Sequence, residues 1–98
     1  KVSIIIYKIY KLLILDENFA QAWADLSASY TVITSYGGSL DDEIAQKRAL
    51  EAADKAINLN PNLAEAWAVK GYINIKLLNN KLLISFIFID VSLKMKFY

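Results

Sequence analysis

The chain has 98 residues, 56% of them hydrophobic, which is enough for one small domain with an apolar core. Its 11 basic and 10 acidic residues leave a net charge of +1, which excludes the broad basic surface typical of nucleic-acid or anionic-lipid binding. It contains no histidine and no cysteine, which excludes the commonest general base, disulfide bonds and thiolate metal sites.

The N-terminal stretch, residues 1–15, is rich in Ile and Leu. Lys8 and Lys11 interrupt it, and no small-residue cleavage site follows, so the pattern does not indicate a signal segment. The first residue is Lys1 rather than Met, and we therefore expect an internal segment of a larger protein. We also expect a soluble chain with a cytoplasmic location.

The first well-patterned helix is predicted over about residues 19–33. Asn18 precedes it as a cap, and Gln21 follows this cap by three residues, as in a capping box. Apolar residues recur inside the segment at helical spacing, which supports the prediction. These residues are Ala22, Trp23, Leu26 and Tyr30.

A turn and a second helix follow. Ser35–Gly38 predicts the turn, since adjacent glycines are costly within a helix. Ser39 and Asp42 then form a capping-box pattern at the start of a helix over about residues 40–59. Asn60-Pro61 ends this helix, because a residue before proline avoids the helical region. The inner face is predicted to consist of Ile44, Ala49, Ala53, Ala56 and Ile57.

The chain then repeats itself: NPNLAEAW, from residue 60, nearly restates DENFAQAW, from residue 16. Asn62 and Glu65 have the spacing of a helix start, and we expect this helix to end near Asn79-Asn80. Its apolar positions are Ala66, Trp67, Val69, Ile73 and Leu77.

Two periods compete in residues 81–97. Leu82, Phe86, Ile89, Leu93 and Phe97 suit a helix, whereas Ile89, Val91, Leu93, Met95 and Phe97 alternate as in a strand. We predict a helix, because Asp90 and Lys94 form an i,i+4 pair and the preceding helix requires a partner. Asp90 also interrupts the apolar run, which is shorter than the roughly 18 residues of a membrane span.

Residues 16–78 resemble the tetratricopeptide repeat family. In that family the first helix of each pair carries Trp, Leu, a small residue and Tyr, and the second helix carries Ala and Ala, followed by Pro. Matches in the first copy are Ala22, Trp23, Leu26, Ser27, Tyr30, Ala49, Ala56 and Pro61, and those in the second are Ala66, Trp67 and Gly71. The resemblance implies an all-α fold of about five helices, stacked as antiparallel pairs in a short solenoid.

Several features depart from the family pattern. Trp23 and Trp67 are 44 residues apart, against a period of about 34. The long turn TSYGGSLDDE accounts for the excess and is similar to turns in bacterial regulatory and cyclase-associated repeat proteins. Lys70 and Asn74 stand where the family has Leu and Tyr. By register, Ile5 and Leu12 occupy Ala positions of an earlier second helix over residues 3–15, so we expect that helix to pack irregularly.

We therefore expect one repeat domain over residues 1–98, with about two and a half repeats. Its well-patterned core is residues 16–80, and residues 1–15 and 81–98 are atypical flanks. The resemblance implies a structural core of Trp23, Leu26, Tyr30, Ala49, Ala53, Ala56, Pro61, Trp67 and Gly71. The two tryptophans are predicted to fill the space between paired helices, so that changing either to Ala costs roughly 3–5 kcal/mol.

No pattern indicates catalysis, a cofactor or a metal. The acidic run 41–43 lacks the alternate ligand spacing of a calcium loop, and it suits a helix N-terminus. Tyr36–Ser39 has glycines and a hydroxyl, but no Lys follows at P-loop spacing. Lysines near aromatic residues at the two ends are too few to indicate nucleic-acid binding; they are Lys8, Lys11, Lys94 and Lys96 beside Tyr7, Tyr10, Phe97 and Tyr98.

The resemblance implies a protein-binding scaffold without enzymatic activity. The ligand would be a helix or an extended apolar peptide, and Tyr72 would be the anchor of a concave groove. The groove positions correspond to Gln21, Ala24, Ala28, Thr31, Glu65, Ala68, Tyr72 and Ile75. The alternative is an architectural segment of a bacterial regulator or nucleotide cyclase that self-associates through its apolar ends, Ile4 to Leu15 and Leu82 to Phe97.

Overall fold

The computed structural model describes residues 2–35 and 42–96, and in these ranges the protein is all-helical. Four helices follow one another: α1 (Val2–Leu15), α2 (Ala20–Ser35), α3 (Asp42–Leu59) and α4 (Ala64–Lys96). α2 packs against α1, α3 and α4, and α4 also packs against α3. The predicted Tyr36–Gly38 turn, the acidic residue Asp41, Ser39 of the capping box and Phe97 lie outside the described residues.

The sequence repeat is also a structural repeat. Residues 16–19 link α1 to α2, and residues 60–63 link α3 to α4. In each link the side-chain oxygen of the first residue accepts a hydrogen bond from the backbone N–H of the third, at 3.0 Å and 3.1 Å respectively. The carbonyl of the first residue accepts another from the fourth, at 3.2 Å and 3.1 Å. This Asx turn ends one helix and starts the next within four residues.

Each tryptophan holds its link in place in the same way. The indole N–H of Trp23 donates to the carbonyl of Glu17 at 2.8 Å. That of Trp67 donates to the carbonyl of Pro61 at 2.7 Å. The two copies of the motif therefore have the same local structure, and burial is what distinguishes them.

The interface between α2 and α3 is built from small side chains. α3 buries five alanines: Ala45, Ala49, Ala52, Ala53 and Ala56. Because alanine lets two helix backbones approach closely, the hydroxyl of Ser27 on α2 reaches α3 and donates to the carbonyl of Ala49 at 2.6 Å. Ser27 is fully buried. The placement of Ile44 on the inner face is wrong, since that side chain is exposed and the smaller Ala45 lies inside.

α1 packs against α2, and its face formed by Ile6, Ile9 and Leu13 is buried. Ile5 and Leu12 are about half exposed, so they do not force neighbouring helices apart as the family register implied.

α4 joins the core through its first half only. Ala66 and Ile73 are buried, and Val69 and Leu77 pack against the core from its edge. Lys70, which replaces the expected leucine, reaches across to α3, where its ammonium lies 2.7 Å from a carboxylate oxygen of Asp54. A charged side chain thus bridges two helices at a position where the repeat pattern places an apolar one.

The predicted break at Asn79-Asn80 is wrong, because α4 continues without interruption for 33 residues. Asn costs well under about 1 kcal/mol in a helix interior, and no Gly or Pro follows Gly71 to stop the helix. The described chain has four helices instead of about five. Helix is confirmed over residues 81–96, and Asp90 pairs with Lys94 at 3.4 Å, but this segment does not fold back.

Because α4 is uninterrupted and does not fold back, three predicted core residues lie outside the core. Trp67 is 51% exposed, Pro61 is exposed, and a Cβ placed on Gly71 would meet nothing within 4 Å. Within residues 2–35 and 42–96 no helix turns back over this side of α4, and the Trp67 ring is covered only by the Lys70 ammonium, 5.9 Å from its centre. The other predicted core side chains are buried, except Trp23, which is partly buried against both apolar clusters.

Candidate protein-binding surface

The internal repeat permits a direct comparison between α2 and α4. Ser27 and Gly71 are equivalent, since each lies four residues after its tryptophan. Ser27 is buried and bonded to α3, whereas Gly71 is exposed to open space. α4 therefore presents, uncovered, the face that α3 covers on α2.

The uncovered face forms a continuous stripe along α4. Its residues alternate between spacings of four and three, which keeps them on one side of a helix. All of them are exposed. We name the following nine residues the α4 stripe: Ala64, Ala68, Gly71, Ile75, Leu78, Leu82, Ser85, Ile89 and Ser92.

Around the second half of the stripe, α4 exposes apolar side chains on every side. Phe86 is 67% exposed, Phe88 73% and Ile84 66%. A helix that is apolar all round is typical of a buried environment. No helix in the described residues is long and apolar enough to cross a membrane. None of these three side chains packs against another helix in the part of the chain that the structure describes.

The predicted groove residues are only partly accessible. Glu65, Ala68, Tyr72 and Ile75 on α4 are exposed. On α2, Ala24 is 2% exposed because Ala56 and Ala66 pack around it, so it offers no surface to a ligand.

The other α2 groove positions are half-buried and engaged within α2. Gln21 donates to a carboxylate oxygen of Asp25 at 3.0 Å, and Thr31 donates to the carbonyl of Ala28 at 2.6 Å.

Tyr72, the predicted anchor, is 53% exposed. It lines an open cleft of about 300 Å³ together with Ile75, Lys76 and Asn79. All four residues belong to α4, so this cleft is a surface feature of one helix.

A larger cleft of about 640 Å³ lies at the junction of α1, α2 and α3. The hydroxyls of Tyr10 and Tyr30 are 2.7 Å apart at its wall. Burial, together with this hydrogen bond, raises the pKa of Tyr10 to about 12. Sequence reasoning missed this cleft, although the spacing of the charged residues on α3 places them on one helix face: Arg48, Glu51 and Lys55.

Two of the four lysines considered above for nucleic-acid binding have local structural partners. The ammonium of Lys11 lies 5.1 Å from the centre of the Tyr7 ring, and Lys94 pairs with Asp90. Within residues 2–35 and 42–96, no group of three acidic side chains is close enough to hold a metal ion.

No protein-family model, characterised protein or solved structure matches this chain.

Proposed function

We propose that this chain is a non-catalytic protein-protein interaction module that binds an apolar helix on the α4 stripe. The contrast between the buried Ser27 and the open Gly71 carries the proposal. The face of α2 that packs against α3 has an equivalent on α4, and in the described residues no helix covers that equivalent face.

A helical ligand fits better than an extended one for a physical reason. The stripe has small residues at its first three positions, and four of its six positions from Ile75 onward are Ile or Leu. Small residues let another helix approach closely, as the α3 alanines approach Ser27, and the larger ones then interdigitate with its side chains. The ligand would gain area along the whole length of the stripe.

The repeated links support a scaffold of tetratricopeptide type, because each joins two packed helices through the same four-residue turn. Stacked helix pairs of this kind form a curved solenoid. In such an arrangement α2 and α4 would be the first helices of successive pairs, and the side of α4 turned away from α2 would receive the next element.

The groove anchored by Tyr72 is the second candidate, and its exposure on α4 favours it. It would accept an extended apolar peptide along α2 and α4. The Tyr72 ring lies on the flank of the α4 stripe, so single substitutions can separate the two surfaces.

A synthetic peptide of residues 42–59 provides the probe, because this sequence covers the equivalent face of α2. It is titrated against the Trp23→Phe variant, in which Trp67 fluorescence reports events beside Gly71. We expect saturable binding that Gly71→Glu weakens at least about tenfold, since a charge would be desolvated beneath the helix, while Tyr72→Ala changes it little.

The opposite pattern, loss with Tyr72→Ala and none with Gly71→Glu, would favour the groove. Absence of binding would contradict the stripe as a helix site. Turnover of any substrate by the purified chain would refute the non-catalytic assignment.

A further inference from the structure

We infer that a second copy of the chain occupies the α4 stripe, through an antiparallel α4–α4 pair centred at Asn79-Asn80. The inference rests on the proposed function and names its partner. Residues 81–96 of each copy would lie on residues 64–78 of the other.

Side-chain sizes complement each other in this register. Centring the pair at residues 79–80 places residues whose numbers add to about 160 opposite each other. Ile89 then lies over Gly71 of the second copy, where a side chain finds open space. Leu82 lies against Leu78, a pair of exposed apolar side chains. Further along, Ser92 meets Ala68 and Ser85 meets Ile75.

The available area is sufficient for a stable dimer. Seven large apolar side chains on this side of α4 are each 47% to 67% exposed: Trp67, Ile75, Leu78, Leu82, Phe86, Ile89 and Leu93. At about 100 Å² each, they present on the order of 700 Å² of apolar surface. A standard interface buries roughly 800 Å² per partner, including its polar atoms.

The repeat pattern explains why two copies would exchange segments. It predicts that residues 81–96 form a helix that folds back at Asn79-Asn80 onto its own chain. Because α4 is uninterrupted, the same contacts can form only between copies, which is the geometry of domain swapping. The covering helix is preserved, and only the chain that supplies it changes.

Disulfide trapping distinguishes exchange from a hairpin, because the chain has no cysteine of its own. The double variant Gly71→Cys with Ile89→Cys is oxidised and separated on a denaturing gel. We expect a covalent dimer, and sedimentation equilibrium of the unmodified chain should show a monomer–dimer equilibrium. The control pairs Gly71→Cys with Val91→Cys, on the opposite face, and should not cross-link.

Other outcomes overturn the inference in identifiable ways. An intramolecular disulfide in a monomer would mean that residues 81–96 fold back on their own chain. A monomer without cross-links that still binds the 42–59 peptide would retain the proposed function and exclude self-pairing. A monomer that binds nothing would contradict both.

Discussion

The two tryptophans offer a matched test of how burial, rather than local structure, sets stability. Both indoles donate the same hydrogen bond to a carbonyl six residues earlier. Trp23 packs between both apolar clusters, whereas Trp67 is 51% exposed. Replacement of either by Ala loses an equivalent hydrogen bond, so any difference in the free energy of unfolding reports packing.

The magnitudes follow from the area that each indole removes from water. Trp23→Ala leaves a cavity beside Leu26 and should cost roughly 3–5 kcal/mol, as for other core aromatics. Trp67→Ala removes about half as much buried area and leaves no enclosed cavity, so its cost should be about 2 kcal/mol or less. The sequence pattern by itself predicts equal costs.

Urea unfolding followed by far-ultraviolet circular dichroism measures both variants, since the helical signal is independent of the indoles. The lowest workable protein concentration isolates the single chain. Equal losses there would refute the argument. At higher concentration the antiparallel α4 pair would cover Trp67, and the cost of Trp67→Ala should then rise.

Three further predictions concern polar contacts. Ser27→Ala should lower the free energy of unfolding by about 1–2 kcal/mol in urea titrations, since it removes a buried interhelical hydrogen bond, while Ser29→Ala, which loses a bond within α2, should cost less. Lys70→Met should cost less than about 1 kcal/mol, with a loss that shrinks as salt is added, because the pair with Asp54 is partly exposed; a salt-independent loss would point to packing instead. The pKa of Tyr10 is raised from 10.0 to about 12 in the folded chain, so its contribution to stability is complete below pH 10 and is lost as the pH rises through about 12. Denaturation across this range, compared with Tyr10→Phe, should show that slope only in the parent chain.

Local patterns in the sequence were sufficient for the helices and their links. Caps, glycines and Asn60-Pro61 predict the ends of α2 and α3 closely, because hydrogen bonds within a few residues decide where a helix starts and stops. The similarity of the two links was also evident from the amino-acid sequence, and both links adopt the same turn. Helical spacing also predicted three of the five buried alanines of α3, Ala49, Ala53 and Ala56, but it missed Ala45 and Ala52.

Only the tertiary structure decided which faces are covered. Trp23 and Trp67 have equivalent sequence contexts, yet they differ in burial: α3 packs over one face of α2, whereas no helix in residues 2–35 or 42–96 packs over the equivalent face of α4. The Ser27–Ala49 contact joins residues far apart in sequence, which no local pattern encodes. Asn79-Asn80 is compatible with either a turn or a helix at a cost of under about 1 kcal/mol, so these residues do not decide between the two. Only the structure shows that α4 continues through them and leaves its stripe exposed.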